Sequence, residues 1–294
     1  MNTERRPRWL GIGCGLAAAL IWGGFPVMTR FGVAHSSLDM YDVTFLRFAV
    51  SGALLWPVVL RAGFAGLGPL AVVLMVAGIG APYMLVVSHG LARAPVGLFA
   101  IVTPGTMIAC SVLLSACCLK TRLSKRGWAA VGAILAGIAL AGYPELRGAA
   151  GSGAAIGLFV FGGVLWAVYT VSTKVFAVGA LHATAVVSVV SALAYSPWYF
   201  AVKGLSLLGA PPGEVLAQAF YQGAMVSVLA LYLYSKAVAL LGPPLGSSFA
   251  ALVPVFAVAQ AWLFLGEKPS GLAVLGLVVV TAGMLAGLAA ATPR

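Results

Sequence analysis

Charge is what this chain has least of. Only 8% of its 294 residues are Asp, Glu, Lys or Arg, and just six are acidic. A soluble domain carries about 25% charged residues, so this chain cannot cover the surface of a soluble globule of its length. Cysteine is also sparse. Cys14, Cys110, Cys117 and Cys118 lie in apolar runs without C-x-x-C or metal spacing, and read as small buried hydrophobes rather than a disulfide framework or metal centre. No G-x-x-x-x-G-K-[ST] stretch occurs, which excludes an ATPase motor within the chain. The low polarity excludes disorder, and the lack of a Gly-X-Y period excludes a collagen-like chain.

What is present is apolar: 62% hydrophobic residues and a mean hydropathy of +1.07. An all-α polytopic membrane protein follows, because lipid admits only helices or closed barrels and the apolar runs show no two-residue alternation. At about 20 residues per span the length fits roughly ten helices. Runs bounded by charge, proline or glycine fall at 9–30, 41–60, 69–92, 95–118, 126–144, 153–176, 181–202, 214–240, 244–265 and 270–291. Arg5-Arg6-Pro7-Arg8 before an apolar run looks like a signal peptide. The run continues past the nominal Ala17-x-Ala19 site, so it reads as an uncleaved first helix.

A net charge of +11 would point to nucleic acid in a soluble protein. Here basic residues in loops set orientation instead, and no nucleic-acid partner is expected. With ten spans, eleven Lys and Arg fall on the side of the termini, five on the other, and Arg47 within the second span. Both termini are therefore expected in the cytoplasm, with the cluster Lys120–Arg126 as the strongest anchor.

The halves resemble each other. Trp22-Gly-Gly-Phe25-Pro26-Val-Met-Thr29-Arg30 and Trp166-Ala-Val-Tyr169-Thr170-Val-Ser-Thr173-Lys174 align at an offset of 144 residues. Gly97-x6-Pro104 matches Ser247-x6-Pro254, and Ser88-His89 matches Ser235-Lys236. Their common order indicates a five-plus-five duplication, with repeats at 1–148 and 149–294. Five is odd, so the repeats are inverted, an arrangement that places a transporter's substrate near the midplane between halves, in a central cavity.

At these residues the chain resembles the drug/metabolite transporter superfamily, in particular its ten-helix EamA-type exporters. The stretches are Ala19-Leu-Ile-Trp22-Gly-Gly-Phe25, Phe45-Leu-Arg47-Phe48, and Ala237-Val-Ala-x6-Ser247-x6-Pro254-Val running to Gly266-Glu267-Lys268. The fourth span departs from the family's Gly-Glu ending with Cys117-Cys118-Leu-Lys120. In length and aromatic richness the chain is similar to bacterial amino-acid exporters of the YddG type. The resemblance implies a multi-pass protein of the bacterial inner membrane, a monomer or weak homodimer without cofactor, exporting a small metabolite such as an amino acid.

Several residues stand out as substrate-binding candidates. Trp22 precedes Arg30 by eight residues, about 12 Å along a helix, which sets the ring near the bilayer centre if the cation marks the interface; the same holds for Trp166. Trp22, Phe25, Pro26 and Thr29 share a helix face, as do Trp166, Tyr169, Thr170 and Thr173. Such faces either line a cavity or pack between helices with their hydroxyls on backbone. Pro104 and Pro254 each remove an intrahelical bond in mid-span and free a carbonyl; each lines a cavity or is a packing kink. Thr103 and Thr106 flank Pro104. Tyr83, Ser88 and His89 in the third span and Tyr232, Ser235 and Lys236 in the eighth supply further polar groups, with His89 read as interfacial and Lys236 as snorkelling. Gln260 is a weaker candidate, and Arg47 reads as structural.

No Asp or Glu lies in the centre of any span. That argues against a carboxylate proton relay and against paired-acid catalysis, so facilitated diffusion or exchange is expected, with proton coupling at most through His89. The leading expectation is export of amino acids, aromatic ones included, by rocking of the two halves. The alternatives are a multidrug or lipid flippase of the same fold, and a polytopic enzyme using Asp39, Asp42 and His35.

Overall fold

The computed structural model describes residues 5–64, 66–118, 124–147 and 152–291. Lys120 and Arg122 of the basic anchor lie outside these residues, as does the side chain of Ser247. Among the described residues the chain runs through ten apolar helices: α1 (Arg5–His35), α2 (Met40–Ala62), α3 (Pro69–Leu91), α4 (Val96–Cys118), α5 (Lys125–Arg147), α6 (Ser152–Val175), α7 (Ala180–Lys203), α8 (Pro212–Leu241), α9 (243–265) and α10 (Gly271–Ala291). Eight are long and apolar enough to cross a membrane, and Phe249–Leu265 and Gly271–Gly287 form shorter apolar helices. The expected limits hold to within a few residues, except at the end of α1. That helix runs five residues beyond Arg30, so the cation is not its terminal residue.

Three helices are broken, each for a local reason. α3 divides at Gly80 into Pro69–Ile79 and Ala81–Leu91. Pro82 has no N–H to continue the ladder, Gly80 takes an extended conformation, and the Ala81 N–H released there donates to Ser191 Oγ of α7 at 3.3 Å. A Cβ on Gly80 would lie 2.4 Å from the Val76 carbonyl oxygen and 2.5 Å from Ser191 Oγ, so only glycine fits. α8 winds as a π-helix over Ala219–Leu229, a form usually confined to single turns at functional sites. α9 holds a 3-10 stretch, Phe249–Leu252, and Pro254 opens the α-helical segment that follows. Pro104, by contrast, lies inside an unbroken α4.

The halves of the chain interlock. α1 packs on α8 and α9, and α6 packs on α3 and α4; α2 meets α7, and α5 meets α10. These pairings map onto each other when the first five helices are exchanged with the last five, which is the two-repeat architecture. Glycines set the closest approaches. Gly163 of α6 lies against the Thr103 carbonyl and Thr106 of α4, and Gly137 of α5 faces Gly276 of α10 backbone to backbone. Small residues at helix crossings are the usual packing device in lipid, where van der Waals contact replaces the hydrophobic effect between helices.

Candidate substrate site

The end of the molecule away from the termini is held by ion pairs. Arg30 Nε donates to Glu267 Oε1 at 2.9 Å, its NH1 donates to the Leu91 carbonyl, and the Val96 N–H donates to Glu267 Oε2 at 2.7 Å. The two side chains are only 17% and 16% exposed. One guanidinium and one carboxylate thus tie together the end of α1, the α3–α4 turn and the segment after α9. Gly266, in the left-handed region at φ +70°, turns the chain so that Glu267 can reach inward. The Gly266-Glu267 pair of the resemblance therefore has a physical role here, as a latch across this end.

Nearby, Asp39 caps α2 by accepting the Tyr41 and Asp42 N–H groups, and Asp42 accepts the Asp39 N–H in return. Lys203 lies 2.6 Å from Asp39 and 3.8 Å from Asp42, and Tyr199 donates to Asp42 at 2.7 Å. Burial opposes the charge on Asp39, but the Lys203 ammonium and the Asp42 and Tyr41 N–H groups outweigh it and hold the carboxyl below its ordinary value. Both carboxylates are occupied in joining α2 to α7, which leaves neither as a free acid or base.

Trp22 stands on α1 facing α8. Its Nε1–H donates to the Val226 carbonyl, inside the π-helical stretch, at 3.2 Å, and its ring lies 5.2 Å from that of Tyr234. Tyr221 donates to the Ile21 carbonyl at 3.0 Å, Gln218 to that of Met28 at 2.6 Å, and Gln222 to Thr29 Oγ1 at 2.9 Å. Gly23 and Gly24 make this approach possible: a Cβ on Gly24 would lie 1.9 Å from the Tyr221 hydroxyl, and one on Gly23 would lie 2.7 Å from Phe256 Cβ. Gln260 donates to the Leu20 carbonyl at 3.0 Å.

Trp166 occupies the corresponding place in the other half, on α6 facing α3. Its ring meets Tyr83 edge-on at 6.1 Å. Tyr169 packs against Gly78 of α3. Thr103 is fully buried and donates to the Phe159 carbonyl of α6 at 3.0 Å. Thr29, Thr170 and Thr173 bond to carbonyls of their own helices, the packed alternative for these hydroxyls. The structure thus brings Tyr83, Trp166, Tyr169 and Thr103 into one neighbourhood and Trp22 into a second, and the two tryptophans do not touch.

Phe25 joins the neighbourhoods. It packs with the main core and with the smaller α1–α8 cluster, and its ring lies 6.0 Å from Phe99. Over Phe25, at 5.0 Å, sits the guanidinium of Arg47. Arg47 also lies 5.8 Å from the Phe48 ring and donates to Gln222 Oε1 at 3.2 Å. Sequence reading passed over this residue as structural, because no acid lies on its face of α2. An arginine inside a membrane helix costs up to about 2.5–3.5 kcal/mol to insert. It lies against Phe25, the ring that joins the two aromatic neighbourhoods.

The remaining candidates scatter. Ser88 is fully buried with its hydroxyl unpartnered. His89 Nδ1 lies 3.2 Å from Met40 Sδ, toward the latched end. Pro104 and Pro254 are buried on α4 and α9, which pack on each other. Tyr232 is 59% exposed and lines an outer apolar groove of about 550 Å³ with Leu54, Leu181 and Phe220. Lys236 lies 5.7 Å from its ring. The tyrosines of α8 that face α1 are Tyr221 and Tyr234.

Comparison with known proteins agrees with this architecture. A solved crystal structure superposes with a TM-score of 0.59 at 21% identity, covering 95% of this chain and 97% of its own, which establishes a shared fold. No curated protein matches the chain. The model of the EamA-like transporter family matches twice, over residues 9–143 and 153–287. The chain is a multi-pass membrane protein and belongs to the EamA-like transporter family.

Proposed function

We propose that this protein exports small organic metabolites across the bacterial inner membrane, and that amino acids with large apolar or aromatic side chains are among them. The observation that carries the reading is the paired placement of Trp22 of α1 against α8 and Trp166 of α6 against Tyr83 of α3, with Phe25, under the Arg47 guanidinium, packed on both neighbourhoods. Inverted repeats bind substrate at such a junction. We take the repeats as 1–148 and 149–294, in keeping with the two family matches. Transport runs by rocking, and because the halves interlock we take the moving bodies as α1, α2, α8 and α9 against α3, α4, α6 and α7. Without a mid-span carboxylate, movement runs by facilitated diffusion or exchange.

Counterflow in proteoliposomes tests the substrate. Truncating Trp166 to alanine removes on the order of 60–100 Å² of apolar wall, and at about 25 cal/mol per Å² that weakens phenylalanine or leucine by roughly 10- to 50-fold. Alanine-sized substrates should change by less than about threefold. Equal loss for every substrate at unchanged protein level and monodispersity makes Trp166 a packing residue. The same assay with labelled lipids reads the flippase alternative, whose structural counterpart is the groove beside Tyr232.

Orientation is part of the proposal: eleven basic residues against five place both termini in the cytoplasm. Leu208, 82% exposed between α7 and α8, then faces outward. A cysteine placed there in a cysteine-free background should react with an impermeant maleimide added to intact cells. Labelling only after the membrane is opened reverses the topology.

A further inference from the structure

Arg47 is a cation in search of an anion. All four described acidic side chains are engaged elsewhere: Asp39 and Asp42 with Lys203, Glu214 with Ser37, and Glu267 with Arg30. Among the described residues Arg47 forms no ion pair; its NH1 donates to Gln222 Oε1, while its Nε is buried with no partner. Phe25 and Phe48 flank the guanidinium at 5.0 and 5.8 Å. Ring faces attract a cation but accept no N–H in the fork geometry that a guanidinium presents. A buried donor left unmade is costly. What satisfies it must be an acceptor, negatively charged, and small enough to enter between aromatic rings.

We propose that Arg47 holds the carboxylate of the transported molecule, so that the substrates are organic monocarboxylates, amino acids included. This rests on the reading that substrate enters the space between Trp22 and Trp166. NH1 is committed to Gln222, which leaves the Nε edge of the fork for the two coplanar oxygens of a carboxylate, the geometry in which arginine binds best. One guanidinium balances one negative charge. A dianion would bring a second charge, and Arg30 of α1 is already paired with Glu267. The aromatic rings on either side then meet the apolar body of the substrate.

The test uses purified protein in detergent and two probes that differ only in charge, 3-phenylpropionate and 3-phenylpropionamide. Stabilisation against heat is followed over a concentration series at constant ionic strength. The carboxylate should reach a given rise in midpoint at about 10- to 100-fold lower concentration than the amide, as expected for a charged hydrogen-bonded partner. In Arg47→Gln the two probes should act alike, and Arg47→Lys should keep part of the preference. Equal potency on the wild type, a preference that survives in Arg47→Gln, no stabilisation by either probe, or the same rise with chloride alone would each overturn the assignment. If Arg47→Gln does not fold, the wild-type probe pair and Arg47→Lys decide. Amino-acid counterflow, run in parallel, separates the two readings. Transport without a carboxylate preference rejects Arg47 alone, and carboxylate binding without amino-acid transport rejects the amino-acid reading alone.

Discussion

Gly163→Val should be among the most damaging single substitutions in the protein. The first added carbon would lie 2.6 Å from Thr106 Cβ and 2.7 Å from the Thr103 carbonyl oxygen, neither of which is the free end of a long side chain. Relief requires α4 and α6 to separate, and those helices carry Thr103, Pro104 and Trp166. Overpacking of a tight contact costs about 1–3 kcal/mol for small insertions. With a backbone atom in the way and two further methyls, about 3 kcal/mol is a lower expectation, or a fall in unfolding midpoint of roughly 6–12 °C. Gly157→Val supplies the control. It lies on the same helix, and a Cβ there meets nothing within 4 Å. Midpoints that fall equally in both variants would show that valine in α6, rather than the α4 contact, is responsible.

Glu267→Gln should rank next. The substitution keeps the shape but removes the charge opposite Arg30 and weakens the acceptor of the Val96 N–H. Breaking one side of a buried pair costs about 3–5 kcal/mol, because the other charge stays behind. Exposure of 17% and 16% moves this to the lower end, about 3 kcal/mol. Removing Arg30 as well, in an Arg30→Gln/Glu267→Gln double variant, should recover part of the loss, since no lone charge remains. The latch also predicts a change in access. Ala94, buried in the turn between α3 and α4, should react faster as a cysteine once Glu267 is neutral. An unchanged reaction rate together with unchanged stability would mean that the pair contributes nothing to closing this end.

Much of this was readable in the sequence, and the physics explains which parts. Helix limits come from the thickness of lipid, a property of any run of apolar residues, so they need no knowledge of partners. The Trp22 and Trp166 faces follow from helical period and the repeat. The partners of Arg30 and Arg47, Glu267 and Gln222, are not legible in sequence, because they lie 237 and 175 residues away. Tyr232 and Tyr234 are two positions apart with similar neighbours in sequence. Choosing between them needs the phase of α8, which the wider π turns of Ala219–Leu229 shift in a way that a 3.6-residue period misses. The break at Gly80 did have a signal, the Gly80-Ala81-Pro82 run inside an apolar stretch, and its meaning became plain only with Ser191 beside it.

The interlocking of the halves also sets a clock. The Trp22 indole bonds to Val226, 204 residues later, and the α1 carbonyls of Leu20, Ile21 and Met28 accept from Gln260, Tyr221 and Gln218. At about 5–20 residues per second of synthesis, α1 resides in the bilayer for roughly 10–40 s before α8 exists. During that interval its polar face has only lipid, water defects or temporary neighbours to meet. The helix that is made first is among the last to be packed. A chain cut short after its first half would therefore span the membrane and still be unfinished.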